Sequence, residues 1–181
     1  VLTGSSGLLP IQQWYLEKES FEVSYFNQSL LFGIDKSVTE VMLTQVVQQI
    51  ARHHDALRFR YARIDGQWQQ EYGSSKGQVL TEDMQSASQG KLAGLIKESA
   101  DHHQLQLDIE KGELIRVVFL QTPASESKNR LLLISHHLAI DGVSWRILVD
   151  DLELLLSAVS QGQQASLGVK SSSYRQWYQA L

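Results

Sequence analysis

Ser135-His136-His137-Leu138-Ala139-Ile140-Asp141-Gly142 is the segment of this 181-residue chain whose residue types and spacing best suit chemistry. Imidazole exchanges protons close to neutral pH, so each histidine is a candidate general acid or base. The segment follows the most apolar stretch of the sequence and directly precedes a helical pattern. A strand-to-helix junction holds side chains firmly yet leaves them accessible, as proton transfer requires. Asp141 stands where an N-cap belongs, and its carboxylate is expected to accept from the backbone N–H of Val143 or Ser144. Adjacent side chains on a strand point to opposite faces, which suits one inward histidine better than two metal ligands. Metal binding stays open in principle. His53-His54 and His102-His103 repeat the pair near the ends of expected helices without an adjoining Asp-Gly, so a structural role for the third pair stands beside the catalytic one.

The elements that must position this segment follow from periodicity. Pro10 opens a short helix, where its fixed φ and missing N–H cost nothing, and Ile11, Trp14 and Tyr15 follow at helical spacing. Phe26 to Ile34 is a compact apolar run expected as a strand. Ser37-Val38-Thr39-Glu40 has the form of a capping box. Behind it Leu43, Val46, Val47 and Ile50 recur at 3 and 4, predicting a helix to about His54. Leu57, Phe59 and Tyr61 alternate with Arg58, Arg60 and Ala62, the period of a strand. Asp65-Gly66 is a hairpin turn, and Gln67 to Tyr72 is the return strand, polar enough to sit near an edge. Residues 73–90 read as a loop, and Leu92, Leu95, Ile96, Ser99 and His103 mark the next helix face.

Lys111-Gly112 predicts a turn, followed by a strand from Leu114 to Gln121, a polar loop from Thr122 to Asn129 and a strongly apolar strand from Arg130 to Ser135. From Gly142 the period becomes helical, with Trp145, Leu148, Leu152, Leu155, Leu156 and Val159 on one stripe and Gly162 closing it. Gln163 to Ser173 is expected as loop, and a last helix carries Tyr174, Trp177, Tyr178 and Leu181. Strands and helices mix without a strict βαβ rhythm, so the expected fold is an α/β sandwich, with a mixed or largely antiparallel sheet and helices packed on it. There is no internal repeat.

Composition narrows the function classes. Twenty acidic against sixteen basic residues give a net charge of −4, which argues against a nucleic-acid binder. The absence of cysteine removes disulfides, thiolate catalysis and Cys-ligated zinc, and fits a reducing compartment. No apolar run approaches the roughly 20 residues of a bilayer span, and no signal-peptide pattern opens the chain. A cytoplasmic protein without a membrane partner is the expectation, and the glycosylation match Asn27-Gln28-Ser29 is taken as chance. The sequence lacks G-x-G-x-x-G, G-x-x-x-x-G-K and G-x-S-x-G. Thr3-Gly4-Ser5-Ser6-Gly7 is expected as a plain flexible lead-in. Val1 in place of Met, and a last helix still amphipathic where the chain stops, lead to the expectation of a piece of something larger.

His136-His137-Leu138-Ala139-Ile140-Asp141-Gly142 resembles the HHxxxDG signature of nonribosomal peptide synthetase condensation-type domains, which share a fold with chloramphenicol acetyltransferase. Leu9-Pro10-Ile11-Gln12-Gln13-Trp14-Tyr15 resembles the opening motif of the epimerization subclass, and Tyr25-Phe26-Asn27-Gln28-Ser29-Leu30-Leu31 its next stretch. His53-His54-Asp55-Ala56-Leu57-Arg58 is similar to the family's second core motif, and Gly142-Val143-Ser144-Trp145-Arg146 continues the signature as in epimerization domains. The likeness runs over 1–181 in the family's order, yet it covers only the N-terminal one of two similar lobes between which the family's active site lies.

The resemblance implies the site. His137 would carry the proton, and His136 would point away and pack or hydrogen-bond. Asp141 would order the loop, by capping and by pairing with Arg58 or, failing that, Arg60; an ordinary solvated strand face is the alternative for both arginines. Gly142, Ser144 and Trp145 would adjoin the site, with Trp145 more readily a core residue, as are Trp14 and Tyr15. The N-terminus of the helix at Gly142 would help stabilise an enolate oxygen. The resemblance further implies no directly bound cofactor or metal, a substrate carried on the phosphopantetheine of a peptidyl carrier protein domain, and a second lobe with a facing glutamate as partner. Conversion of a carrier-bound L-aminoacyl or peptidyl thioester to its D epimer is the leading expectation. Amide formation by a condensation domain and a non-catalytic carrier-docking lobe are the alternatives. The 181-residue chain alone is expected to fold without racemising substrate.

Overall fold

The computed structural model describes residues 2–18, 22–74, 77–164, 166–170 and 172–181. Among these the order is β1 (Gly4–Ser6), α1 (Pro10–Leu16), β2 (Asn27–Ile34), α2 (Glu40–His53), β3 (Phe59–Ile64), β4 (Gln67–Tyr72), β5 (Val79–Asp83), α3 (Gln89–Gln104), β6 (Ile115–Gln121), β7 (Asn129–His136), α4 (Gly142–Ser160) and α5 (Tyr174–Ala180). The larger sheet runs β2-β7-β6-β5, antiparallel except for the parallel β5–β6 pair. It is the expected mixed sheet, but helices cover both of its faces. Leu131 and Leu133 of β7 pack with Leu43, Val46 and Ile50 of α2 and Leu148 and Leu152 of α4. Leu132 and Ile134 turn the other way, into a cluster with Leu92 of α3. That double burial explains the unbroken apolar run of β7, since a strand covered on both sides has no solvent face to make polar.

A smaller antiparallel sheet, β1-β4-β3, joins Phe59, Tyr61 and Tyr72 to Leu16 of α1 in a third cluster. The β3–β4 hairpin turns at Asp65 (φ 52°) and Gly66 (φ 79°), the positive-φ pair that Asp-Gly predicts. Two expectations fail in this sheet. β4 lies between β1 and β3, not at an edge. The supposed lead-in supplies β1, whose Ser6 pairs with Gln70 and is buried.

Other differences are local. Ser37 is taken up by Asp35, whose carboxylate accepts from its N–H at 2.9 Å and its hydroxyl at 2.7 Å. The cap of α2 is therefore Thr39, accepting from Met42 N–H at 3.3 Å, and no capping box forms at Ser37. Asp55–Arg58 makes a 3-10 turn, so β3 begins at Phe59 and Leu57 and Arg58 precede it. The expected loop 73–90 contains β5, a short and half-polar strand that pairs with buried β6; residues 75 and 76 of that loop, like 165 and 171 of the later one, lie outside the described residues. Trp14 is not core: it is 56% exposed, with the Lys18 ammonium 3.4 Å from its ring centroid. The buried residues of α1 are Gln12 and Leu16.

Candidate functional site

Strand alternation divides the histidine pair. His136 is the last residue of β7, opposite Asn27, and shares a face with Ile134. Its ring is fully buried, with edge contacts to Tyr15 and Phe26. Nε2–H donates to the Val23 carbonyl at 3.0 Å, and Nδ1 accepts from Leu138 N–H at 3.1 Å. Burial pushes its pKa from 6.5 down to about 4, against the opposing bond to Val23 and helped by neighbouring His137. A ring with both nitrogens occupied and no exposed surface is part of the loop's framework.

His137 falls on the face toward α4. Its backbone N–H donates to the Phe26 carbonyl at 2.7 Å, extending the β2–β7 ladder by one bond, and the Phe26 ring lies against its own at 4.8 Å between centroids. The ring is half-buried. Nδ1 lies 2.7 Å from the Ile140 carbonyl, and Nε2 lies 3.2 Å from Nε2 of Gln28. Oε1 of Gln28 accepts the Trp145 indole N–H at 2.7 Å. Gln28, Leu30 and Phe32 alternate on the inward face of β2, and this period brings the Gln28 amide between His137 and the first turn of α4. Trp145 is buried in the main cluster, so it is both core and neighbour of the histidine.

Asp141 caps α4: its carboxylate accepts the Ser144 N–H and the Ser144 hydroxyl, each at 2.7 Å. These bonds, the hydroxyl first, hold its carboxyl below the usual range despite slight desolvation, with Val143 N–H and His137 adding to them. The capping anion already occupies the N-terminus of α4, so that end does not offer an enolate oxygen the free positive pole expected of it. Gly142 is exposed, and a Cβ there would meet nothing within 4 Å.

The arginine expectation is corrected. Arg58 is 3% exposed and donates to Asp55 at 2.5 Å and to the Gly73 carbonyl at 3.2 Å, not to Asp141. Asp55 also accepts from Lys170 at 2.7 Å. The 3-10 turn sets Asp55 three residues before Arg58 on one face, and a local carboxylate captures the guanidinium. Arg60 pairs with Glu71 at 2.8 Å, on the surface. The pair Asp55–Arg58 is thus buried rather than solvated, and neither arginine reaches the histidine loop.

A groove of about 960 Å³ lies beside the loop, lined by His53 and His54, by Ile140, Ser144 and Ile147, and by Trp177. His137 is not among its lining residues; the groove reaches the turn that carries it. His54 pairs with Asp151 of α4 at 2.6 Å, which ties α2 to α4. Among the described residues no three His, Asp or Glu side chains are placed to hold a metal ion, and no helix is long and apolar enough to cross a membrane.

Two site residues had no assigned role from sequence. Gln28 is one, although a polar side chain at an inward position of the apolar run 26–34 is a readable signal. Gln12 is the other: buried in α1, it donates to Tyr61 at 3.2 Å and lies 3.5 Å from the Leu138 carbonyl, while Tyr174 donates to its amide oxygen. Its burial shows only once α1 is seen packed on its polar side.

Comparison with known proteins agrees with this architecture. The family described as Condensation domain matches residues 4–181. A linear gramicidin synthase of Brevibacillus parabrevis is 38% identical over 99% of this chain and 4% of its own length. Chondramide synthase cmdD of Chondromyces crocatus is 36% identical over 100% of this chain and 5% of its own. The chain therefore spans a small part of these relatives. The crystal structure of the epimerization domain from the third module of tyrocidine synthetase B superposes with a TM-score of 0.91 at 31% identity, over 99% of this chain and 39% of that one. The starter condensation domain of rhizomide synthetase RzmA gives a TM-score of 0.79 at 15% identity over 99% and 43%, and shows the shared α/β fold alone.

Proposed function

The chain belongs to the condensation-domain family, and from that membership we propose that it is the N-terminal lobe of an epimerization domain of a nonribosomal peptide synthetase. The observation that carries this reading is the higher identity and closer superposition with an epimerization domain than with a starter condensation domain. The site is compatible with this reading. The two stretches that resemble the epimerization subclass contribute Gln12 and Gln28, and both amides reach the 137–138 turn.

The substrate is an aminoacyl or peptidyl thioester on the phosphopantetheine arm of a carrier domain. Nε2 of His137 removes the Cα proton: the C–H pair moves into the Cα–carbonyl bond, an enolate forms, and the proton becomes Nε2–H. A glutamate of the second lobe delivers a proton to the opposite face of Cα, and the D epimer results. The arrangement needs no metal or redox partner, because the thioester carbonyl takes the electron pair. A positioned acid–base pair of this kind contributes about 10²–10⁴-fold at each step. The second lobe completes the crevice, so the single lobe is inactive alone.

Amide formation by the same histidine is the competing reaction. The complete two-lobe domain, supplied with donor- and acceptor-loaded carrier domains in deuterated water, separates them. Deuterium at Cα with D-residue formation and no new amide is the expected result. A new amide without Cα exchange would assign the lobe to condensation.

A further inference from the structure

We infer that Gln28 is a positioning residue that, locked by Trp145, keeps the lone pair of His137 on Nε2. The inference deepens the proposed epimerization reading and rests on it only for its kinetic arm. Trp145 is the group with no choice. An indole nitrogen donates and never accepts, so the atom of Gln28 that faces Trp145 at 2.7 Å is the amide oxygen. The amide N–H2 then faces Nε2 of His137 at 3.2 Å, and that nitrogen must accept. At the other end of the ring a carbonyl, which only accepts, stands 2.7 Å from Nδ1, so the ring's proton sits there. Trp145, Gln28, His137 and Ile140 thus form one directed chain in which no hydrogen is free to be placed otherwise. Turning the amide over would set its N–H2 against the indole N–H and its oxygen against a lone pair.

Two consequences follow for proton transfer. The basic nitrogen is the one that faces Gln28, while Nδ1 is committed to the backbone. When Nε2 takes a proton, the new N–H meets the amide N–H2, so Gln28 has to withdraw as substrate arrives. The bond it gives up, at 3.2 Å, is the longest of the chain.

The test is made on the complete two-lobe domain labelled with ¹⁵N-histidine, at a pH where the ring is neutral. The wild type is expected to show His137 with a protonated Nδ1 and an unprotonated, hydrogen-bonded Nε2. In Gln28→Leu, and in Trp145→Phe through Gln28, the Nε2 signal moves toward that of an unbonded imidazole nitrogen, and the double variant moves it no further. Cα–proton exchange by Gln28→Leu falls about two- to tenfold in kcat, because the neutral ring loses the one hydrogen bond from Gln28 that favours its Nδ1–H tautomer, with KM little changed. A purely structural role would leave the Nε2 signal in place. A proton on Nε2 in the wild type, or a signal indifferent to Gln28→Leu, overturns the inference. Absence of Cα exchange in the wild type overturns the epimerization reading instead and leaves the ring assignment standing.

Discussion

Nε2 of His136 gives its proton to the Val23 carbonyl at 3.0 Å, whereas Nε2 of His137 faces an amide donor at 3.2 Å. The same atom of two adjacent residues is thus a donor in one ring and an acceptor in the other. The first ring joins the segment before β2 to the loop after β7 and holds the backbone in place. The second is left with a lone pair that faces the Gln28 amide. Bonding partners, not sequence position, assign the two roles.

His136 makes the fold sensitive to mild acid. Its pKa is pushed from 6.5 to about 4 by burial, so the unfolded chain binds the extra proton between those values. Its contribution is complete above about pH 6.5 and is lost as the pH falls toward 4, to a limit on the order of 3 kcal/mol. Urea unfolding of the wild type is expected to weaken between pH ~6.5 and ~4.5. His136→Gln is expected to be less stable near neutrality but flatter across that window. An equally steep profile in the variant would place the titrating group elsewhere.

His137 tests the chemistry apart from the fold. His137→Ala in the complete domain is expected to lower Cα–proton exchange by about 10²–10⁴-fold, the range for loss of a positioned base. The half-buried ring gives up two side-chain hydrogen bonds, so stability falls by about 2 kcal/mol, seen as a modest shift in thermal midpoint. Retained exchange in a folded variant would remove His137 from the reaction.

Where one force decides, sequence and structure agree. The stripe on α4, the turn at Asp65-Gly66 and the apolar run of β7 each follow from a single pattern, and all three form as expected. The errors come where a competing partner decides. Ser37 has the right spacing for a cap, but Asp35 lies closer. Arg58 stands in a familiar motif, yet Asp55 on the same turn takes its guanidinium before Asp141 can. β5 is too short and polar to announce itself and exists because β6 offers an edge. The histidine loop was legible as a motif, while its relay was not, because Gln28 and Trp145 lie 117 residues apart.

Asp141 has a role that separates shape from charge. It accepts two bonds from Ser144 at the start of α4. Asp141→Ala is expected to cost about 1 kcal/mol, the usual weight of an N-cap, and Asp141→Asn much less, since asparagine caps as well. Its lowered carboxyl pKa stabilises the fold above the unfolded value near 3.8, and that part is lost as the pH falls through the folded value. Thermal midpoints near pH 7 and pH 3 are expected to converge for wild type and Asp141→Asn on the acid side. A loss for Asn as large as that for Ala would mean that the charge, not the cap, matters.

The partner of Arg58 decides whether the second histidine motif braces the loop or the turn beneath it. The guanidinium is nearly sealed, and Asp55 sits at 2.5 Å with Lys170 bonded to the same oxygen. Burial alone would raise the Asp55 carboxyl, but the bonds from Lys170 and Arg58 outweigh it and hold it below the usual range. Removing the arginine leaves a desolvated carboxylate with one flexible lysine, so Arg58→Met is expected to cost about 3 kcal/mol, at the lower end for breaking a buried pair. A double-mutant cycle makes the assignment. Arg58→Met with Asp55→Asn is expected to show a coupling above about 1 kcal/mol, whereas Arg58→Met with Asp141→Asn adds within about 0.5 kcal/mol, as separate sites do. Chemical unfolding of the wild type, the three single variants and the two double variants in the complete domain measures both. Strong coupling to Asp141 would mean that the guanidinium leaves Asp55 for the loop when the second lobe is present.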